Sequence, residues 1–208
     1  MANASEISVG LVHELAITGT KVGFEPKDFA TLAHSEERMS SILGVLHGTH
    51  EIRPIDYVID FNSPARLPFN GAVLEVHRGT GIVKLEKKAD GLYLDGKKLT
   101  LFLSKKQKKG GVIEGNKLRI ELEKRGKNVG AKLLDHFVEH PEMWPEEWKK
   151  DDQGNTLYVF FWDDIFRNPA CGDLYVRCGC WRGGEVISGY DWLGDDWRGR
   201  SPAVSSVS

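Results

Sequence analysis

Residues 173–193, DLYVRCGCWRGGEVISGYDWL, decide how the rest of the chain is read. Gly183-Gly184 fits the two central positions of a type I′ turn, which need positive φ and so favour glycine. Counting outward from that turn, Arg182 stands opposite Glu185 as an exposed ion pair. Trp181 then faces Val186, Arg177 faces Tyr190, and Tyr175 faces Trp192. Successive side chains of a strand point to opposite faces. One face of this hairpin therefore carries Tyr175, Arg177, Trp181, Tyr190 and Trp192. The other carries Leu174, Val176, Cys178, Cys180, Ile187 and Leu193, with Asp191 as its one charged member. The second set is core chemistry. The first must be covered by another element or used.

Immediately upstream, Thr156 to Trp162 is apolar on both faces, the mark of a central strand. The chain leaves it through Asp163-Asp164 and Asn168-Pro169. Before it lies a proline-broken connector, EMWPEEWKK at 142–150, whose Trp144 and Trp148 are placed to clamp onto a core. The helix predicted from Asn128 to His140 has Asn128 as its cap, Val129, Leu133, Leu134, Phe137 and Val138 on one side, and Pro141 as its stop. This helix or the connector is what would cover the aromatic face. His136 and His140 are four apart and suit a shared metal. Phe137, however, stands where a His-Glu-x-x-His site needs its glutamate, and both histidines flank the apolar stripe. They are read as boundary residues, and neither metal nor cofactor is expected.

Further back, GGVIEGNK at 110–117 approaches a phosphate-binding loop but has Asn116 in place of its lysine and Leu118 in place of its Ser or Thr. Asn116 suits a helix cap for 117–125, ending at Gly126. Leu118, Ile120 and Leu122 also alternate, so helix and strand both stand for 117–124. Lys105, Lys106, Lys108 and Lys109 form a cationic loop before Gly110-Gly111. Alternating segments at 72–77, 82–85, 92–94 and 99–103 are separated by Gly79 to Gly81, Asp90-Gly91 and Asp95-Gly96, which suggests hairpins. Residues 54–61 read as one more strand. Asn62 to Asn70, with Pro64 and Pro68, is irregular and marks the expected internal boundary.

The N-terminal part reads as helical. Ile7, Leu11 and Leu15 recur at helical spacing before a break at Gly19 to Gly23. Pro26 opens a short helix through Ala33. Ser35 caps another whose Met39, Ile42, Leu43 and Leu46 form a core stripe, ended by Gly48. At the other end, the chain from about Ala203 is expected to trail into disorder. The whole is an α+β protein: a helical segment at 1–50, then a mainly antiparallel sheet with packed helices at 51–204 that includes the 173–193 hairpin, and a tail at 205–208.

Composition narrows the classes. The 208 residues are 40% hydrophobic and 28% charged, ordinary for a globular chain. No apolar run approaches the roughly 18 residues of a membrane span. The sequence MANASEISVGL has no basic region followed by an apolar stretch, and three cysteines cannot all pair. A reducing cytoplasm and no membrane partner are expected. The net charge of −2 conceals a basic middle, with 15 Lys and Arg against 6 Asp and Glu over residues 84–132.

Four stretches carry a resemblance: PKDFATLAHSEERMSSILGVLHG, LFLSKKQKKGGVIEG, NVGAKLLDHFVEHPEMWPEEWK, and FFWDDIFRNPACGDLYVRCGCWRGGEVISGYDWLGDDWRGRSPAV. Through them the chain from about Phe24 onward resembles a family of uncharacterised bacterial hypothetical proteins. The resemblance implies a bacterial, cytoplasmic protein of one architecture and brings no activity, cofactor or catalytic residue.

The first functional expectation is a non-catalytic module that binds a protein partner through Tyr175, Arg177, Trp181, Tyr190 and Trp192, residue types that dominate interfaces. Arg177 is placed to stack on Tyr190. The second is nucleic-acid binding through 84–132, with Lys105, Lys106, Lys108 and Lys109 on phosphates. An enzyme is the third. Cys178 and Cys180 lie on the core face, and Asp163-Asp164 and Asp195-Asp196 are adjacent carboxylates that diverge rather than converge, so no catalytic residue is named.

Overall fold

In the computed structural model, which describes residues 9–21, 23–49 and 57–207, the alternating segments become a nine-stranded sheet preceded by helices. The chain divides into two units, residues 1–55 and 56–208.

The first unit holds α1 (Val9–Lys21), α2 (Pro26–Ala33) and α3 (Glu36–Leu46). Local chemistry sets their ends. Pro26 opens α2, where the Asp28 carboxylate accepts the Glu25 N–H at 2.8 Å. The Ser35 hydroxyl accepts the Arg38 N–H at 3.3 Å and starts α3. The break expected over Gly19 to Gly23 falls at the end of that range: α1 runs on to Lys21, and Gly23 turns the chain at φ 99°. A Cβ at Gly19 would meet the Phe29 ring at 2.5 Å, so this glycine lets α2 approach. Ile7 lies outside the described residues. The expected core stripe of α3 is on the surface of its unit: Met39, Ile42, Leu43 and Leu46 are all exposed, and Gly44 is the buried residue of that helix. Three short helices have too little facing surface to enclose it.

The second unit contains β1 (Tyr57–Asp60), β2 (Val73–His77), β3 (Ile82–Lys88), β4 (Gly91–Leu94), β5 (Lys97–Phe102), β6 (Ile113–Glu114), α4 (Gly115–Arg125), α5 (Lys132–Glu139), β7 (Val159–Arg167), β8 (Leu174–Arg182), β9 (Glu185–Trp192), β10 (Asp196–Trp197) and β11 (Ala203–Val207). The sheet order is β1-β3-β4-β5-β11-β7-β8-β9, with β2 also on β7. All pairings are antiparallel except β11 with β7. β6 and β10 form a separate pair.

The strand β7 is apolar on both sides because both sides are covered. Val159, Phe161 and Phe166 meet Leu133, Leu134 and Phe137 of α5 and the two tryptophans of the connector, Trp144 and Trp148. On the opposite face, Phe160, Trp162 and Ile165 meet Leu118 and Leu122 of α4 and Trp197 of β10. The connector itself forms two short 3-10 turns, Pro141–Met143 and Glu146–Trp148.

Several sequence expectations change here. The 117–124 segment is helix, closed by Gly126 in the left-handed region at φ 60°. Gly79 to Gly81 does not join a hairpin, since β2 pairs with β7 while β3 pairs with β1 and β4. The irregular 62–70 loop is no boundary, because the Arg66 N–H donates to Asp135 at 2.8 Å and Phe69 stacks on Tyr175 and Tyr190. The helix expected from Asn128 begins four residues later, at Lys132, and Asn128 instead bridges Ser205. β7 continues through Asp163 and Asp164 to Arg167 by a bulge opposite Arg177–Val176 of β8. The largest correction is the C-terminus. Residues 203–207 are not disordered but form β11, between β5 and β7, with Ala203, Val204 and Ser205 at 1% exposure or less.

Candidate functional site

The hairpin register is the one the sequence specifies: Arg182 pairs with Glu185, Trp181 with Val186, Arg177 with Tyr190, and Tyr175 with Trp192. Gly183 and Gly184 take positive φ, 62° and 92°, as their turn requires. The expected ion pair across the turn is absent among the described residues, and both Arg182 and Glu185 are exposed.

The aromatic face is largely covered. α5 lies over its middle so closely that a Cβ on Gly179 would meet Leu134 Cδ1 at 2.6 Å. Arg177 is therefore buried at 3% exposure. It does not stack on Tyr190. Its guanidinium donates to Asp135 at 2.6 Å, to the Arg66 carbonyl at 3.0 Å and to the Ser188 hydroxyl at 2.8 Å. Burial forces that arrangement, because a charge without hydrogen-bonded partners in the interior is too costly. Trp181 is half-buried against the core, with Lys149 Nζ 3.9 Å from its ring centroid. Tyr175, at the far end, packs with Tyr190 on Phe69. Of the five residues singled out, only Tyr190 and Trp192 are exposed, at 46% and 41%. The expected binding face is thus a structural face with an open rim.

The opposite face is divided. Its lower half is core, where Val176, Cys178 and Leu193 pack against α4 and β10. Burial pushes the Cys178 thiol up to about 12, which leaves it an inert packing group. The upper half opens into a groove of about 630 Å³. Its floor includes Phe160, Cys178 and Cys180, and Ile187, Gly189 and Asp191 of β9 form one wall. Tyr158, Arg198 and Arg200 line the other side. Asp191, the apparent misfit of the core set, is where the register puts it. Its carboxylate lines the groove and accepts the Trp192 N–H at 2.9 Å. Its pKa is raised by partial burial.

β9 is also the last strand of the sheet. The Leu193 N–H donates to the Leu174 carbonyl at 2.8 Å. From there, antiparallel alternation points the backbone groups of 191, 189, 187 and 185 toward β8 and those of 192, 190, 188 and 186 away from it. The outward Trp192 N–H is the one that Asp191 occupies. Ser188 and Tyr190, both exposed, present donors and acceptors at the edge, whereas Val186 is buried at 4% exposure.

The four lysines lie elsewhere in sequence but near the groove in space. Lys105, Lys106, Lys108 and Lys109 are exposed on a loop held by the buried Gln107. Its amide accepts the Ser104 N–H at 2.9 Å and donates to the carbonyls of Arg198 and Ser201 at 3.1 and 3.0 Å.

Comparisons with family models, with curated proteins and with solved structures give no significant match.

Two further polar groups arise from tertiary packing. Asp164 is fully buried. Its carboxylate faces His77 Nδ1 at 2.5 Å and accepts the Ala131 N–H at 2.6 Å, just ahead of α5. His77 Nε2 lies 2.7 Å from the Phe61 carbonyl. A carbonyl and a carboxylate only accept, so both contacts hold only when His77 is doubly protonated. The hydrogen bond to Asp164 accordingly raises its pKa. Both ring nitrogens are then occupied, and His77 offers no lone pair as a base. Asp163 turns instead toward a smaller cavity of about 300 Å³ that Arg78 and Asn128 also line. Burial, then the neighbouring Asp164 charge, pushes it from the usual 3.8 up to about 6. The adjacent carboxylates diverge, as their sequence neighbourhood implies.

His136 and His140 lie with ring centroids 4.6 Å apart beside Tyr57. Glu142 takes the Tyr57 hydroxyl at 2.8 Å. Among the described residues no group of three or more His, Cys, Asp or Glu is placed to hold a metal, and no helix is long and apolar enough to cross a membrane.

Proposed function

We propose that this protein is a non-catalytic interaction module that captures an extended polypeptide segment along the free edge of β9. The observation that carries this is the edge itself: two exposed positions whose backbone groups face away from β8, Ser188 and Tyr190, beside a groove and three exposed apolar residues, Ile187, Tyr190 and Trp192. Main-chain pairing gives such a strand affinity, and the groove gives it selectivity. Edge strands are ordinarily shortened, bulged or covered. β9 pairs with β8 at eight successive positions without a bulge.

The test uses two variants that disturb the edge but not the core. Ile187→Lys puts a charge on the groove wall, and Tyr190→Pro removes an outward N–H at an exposed position where proline is tolerated. A partner that copurifies with the wild-type chain from its host should be lost with both, while thermal unfolding stays cooperative. Retention of that partner by both variants refutes edge pairing.

A second reading, nucleic-acid binding, is favoured by the Gln107 clamp that sets four exposed lysines beside the Arg198–Ser201 segment. It requires retention of single- or double-stranded nucleic acid in low salt that falls steeply as salt rises. No shift at low salt refutes it.

A further inference from the structure

The groove beside β9 has a direction, and the strand register gives it. Tyr158 donates its N–H to the Arg200 carbonyl at 2.9 Å and stands just ahead of Val159, the partner of Gly179. Cys180 pairs with Ile187. Arg200, Tyr158, Cys180 and Ile187 therefore follow one another across the sheet. In the next row, Phe160 donates to the Pro202 carbonyl at 2.9 Å and pairs with Cys178, which pairs with Gly189. Arg182 lies two residues beyond Cys180 toward the turn, and Asp191 lies two residues beyond Gly189 in the other direction.

That order separates the charges that line the groove. At about 3.3 Å per residue, Asp191 lies about 13 Å along the sheet from the Arg200 row and about 20 Å from the level of Arg182. Both separations exceed the screening length of about 8 Å at physiological salt. Asp196 belongs to the same acidic end, since it adjoins Asp195, whose carboxyl acts on Asp191. Arg182, Arg198 and Arg200 form no ion pair among the described residues. Asp151, whose carboxylate the Arg200 charge also favours, is already held by Asn155. Burial raises the pKa of the Cys180 thiol and the Arg182 charge opposes that rise, which places the guanidinium on the groove side. The Gln107 clamp adds four exposed lysines beside the Arg198–Ser201 wall. The turn end of the groove is cationic.

Between Arg182 and Arg200 the floor is apolar, with Tyr158 and Ile187 exposed on it. The hydroxyls of Thr156, Tyr158 and Ser201 line the same groove and have no hydrogen-bond partner among the described residues. The backbones of Arg182 and Arg200 are one row apart along the strands and two strand spacings across, roughly 12 Å in all. Two arginine side chains close that span onto one anion, each with paired N–H donors. A cavity of about 630 Å³ has the size of a small-molecule site. We propose that the turn end of the groove binds a small phosphate monoester with a flat apolar body. Its phosphate lies between Arg182 and Arg200, and its body lies over Tyr158 and Ile187. The site uses groove side chains rather than the β9 backbone, so it goes beyond edge pairing and does not depend on it.

The probes are naphthyl phosphate, naphthol and inorganic phosphate, titrated calorimetrically into the full chain in about 150 mM salt. Naphthyl phosphate should bind one to one, at least about tenfold tighter than either fragment. Arg182→Gln and Arg200→Gln, both at exposed positions, should each weaken it about tenfold or more. Replacing Lys105, Lys106, Lys108 and Lys109 together by glutamine should change it less than about threefold, because their charges are screened. Naphthol binding as tightly as its phosphate would reduce the site to an apolar patch and overturn the proposal. Loss of binding with the lysine variant but not with the arginine variants would overturn it in favour of a diffuse basic surface. Absence of binding at millimolar naphthyl phosphate overturns it outright. If an oligonucleotide or the peptide acetyl-Glu-Val-Glu-Val-Glu-amide binds in its place and the arginine variants abolish that binding, the groove belongs to that macromolecule and the small-ligand assignment fails.

Discussion

Asp163→Asn should make the protein more stable, and only at neutral and alkaline pH. In the native chain the Asp163 carboxyl sits part-buried beside the buried Asp164, and the two effects displace its pKa from 3.8 to about 6. The sign follows from proton binding. A carboxyl whose folded pKa lies above its unfolded value holds its proton more tightly in the folded state, so stability falls as pH rises between the two values. At about 1.4 kcal/mol per pH unit, the displacement opposes folding by about 3 kcal/mol above pH 6 and not at all below pH 4. Arg78 and Asn128, which face the same carboxyl, are already included in that displacement. Asparagine preserves the shape and removes the ionisation. Urea unfolding at a series of pH values should therefore show the variant ahead by about 2–3 kcal/mol at pH 7.5, with the difference vanishing near pH 4. His77 supplies a second signature, coupled to the first because the Asp163 charge also raises its pKa. Its pKa is raised by Asp164, so its contribution is full below its unfolded value near 6.5 and is lost as pH rises through its higher folded value. A decline above pH 6.5 should therefore persist in the variant. A stability difference that does not change with pH, or one of the opposite sign, would show that Asp163 is not the strained acid described.

Removal of residues 203–208 should abolish cooperative folding, seen by near-ultraviolet circular dichroism, because β11 is the strand through which β5 reaches β7. Asp135→Ala should cost about 3–5 kcal/mol in denaturant unfolding, since it leaves the Arg177 charge buried without its carboxylate. Trp192→Ser, at the exposed rim, should cost under about 1 kcal/mol by the same assay. Gly179→Leu should prevent α5 from seating and cost at least about 3 kcal/mol, or leave the chain unfolded at 37 °C.

Much of the local structure was legible because its causes are local. The Gly183-Gly184 turn fixes the hairpin register through backbone sterics, and alternation then assigns every residue from Leu174 to Leu193 to a face without further information. The Pro26 and Ser35 helix starts and the turn at Asp95-Gly96 follow from the same kind of chemistry. The thiols belonged to the inner face by register, and Cys178 is there.

Alternation says which residues share a face, but not what lies above it. Arg177 belongs to an aromatic face by register and is a buried ion-pair partner in the fold, because Asp135 arrives on a helix from 42 positions away. The sequence carries no signal for that meeting beyond an aspartate beside the apolar residues of an amphipathic helix. Residues 203–207, AVSSV, are too short and too small to announce a strand. They become a strand whose first three residues are buried because β5 and β7 supply pairing on both edges, and that stabilisation is non-local. The α3 stripe errs in the other direction: helical periodicity shows that a helix has an apolar side, and only neighbouring elements determine whether that side is enclosed. What the sequence determined alone was most of the helices and strands, several of their turns, and the faces of the 174–193 hairpin. What the tertiary structure decided was coverage: α5 closes one face of the hairpin, α4 half of the other, and the edge of β9 stays exposed at Ser188 and Tyr190.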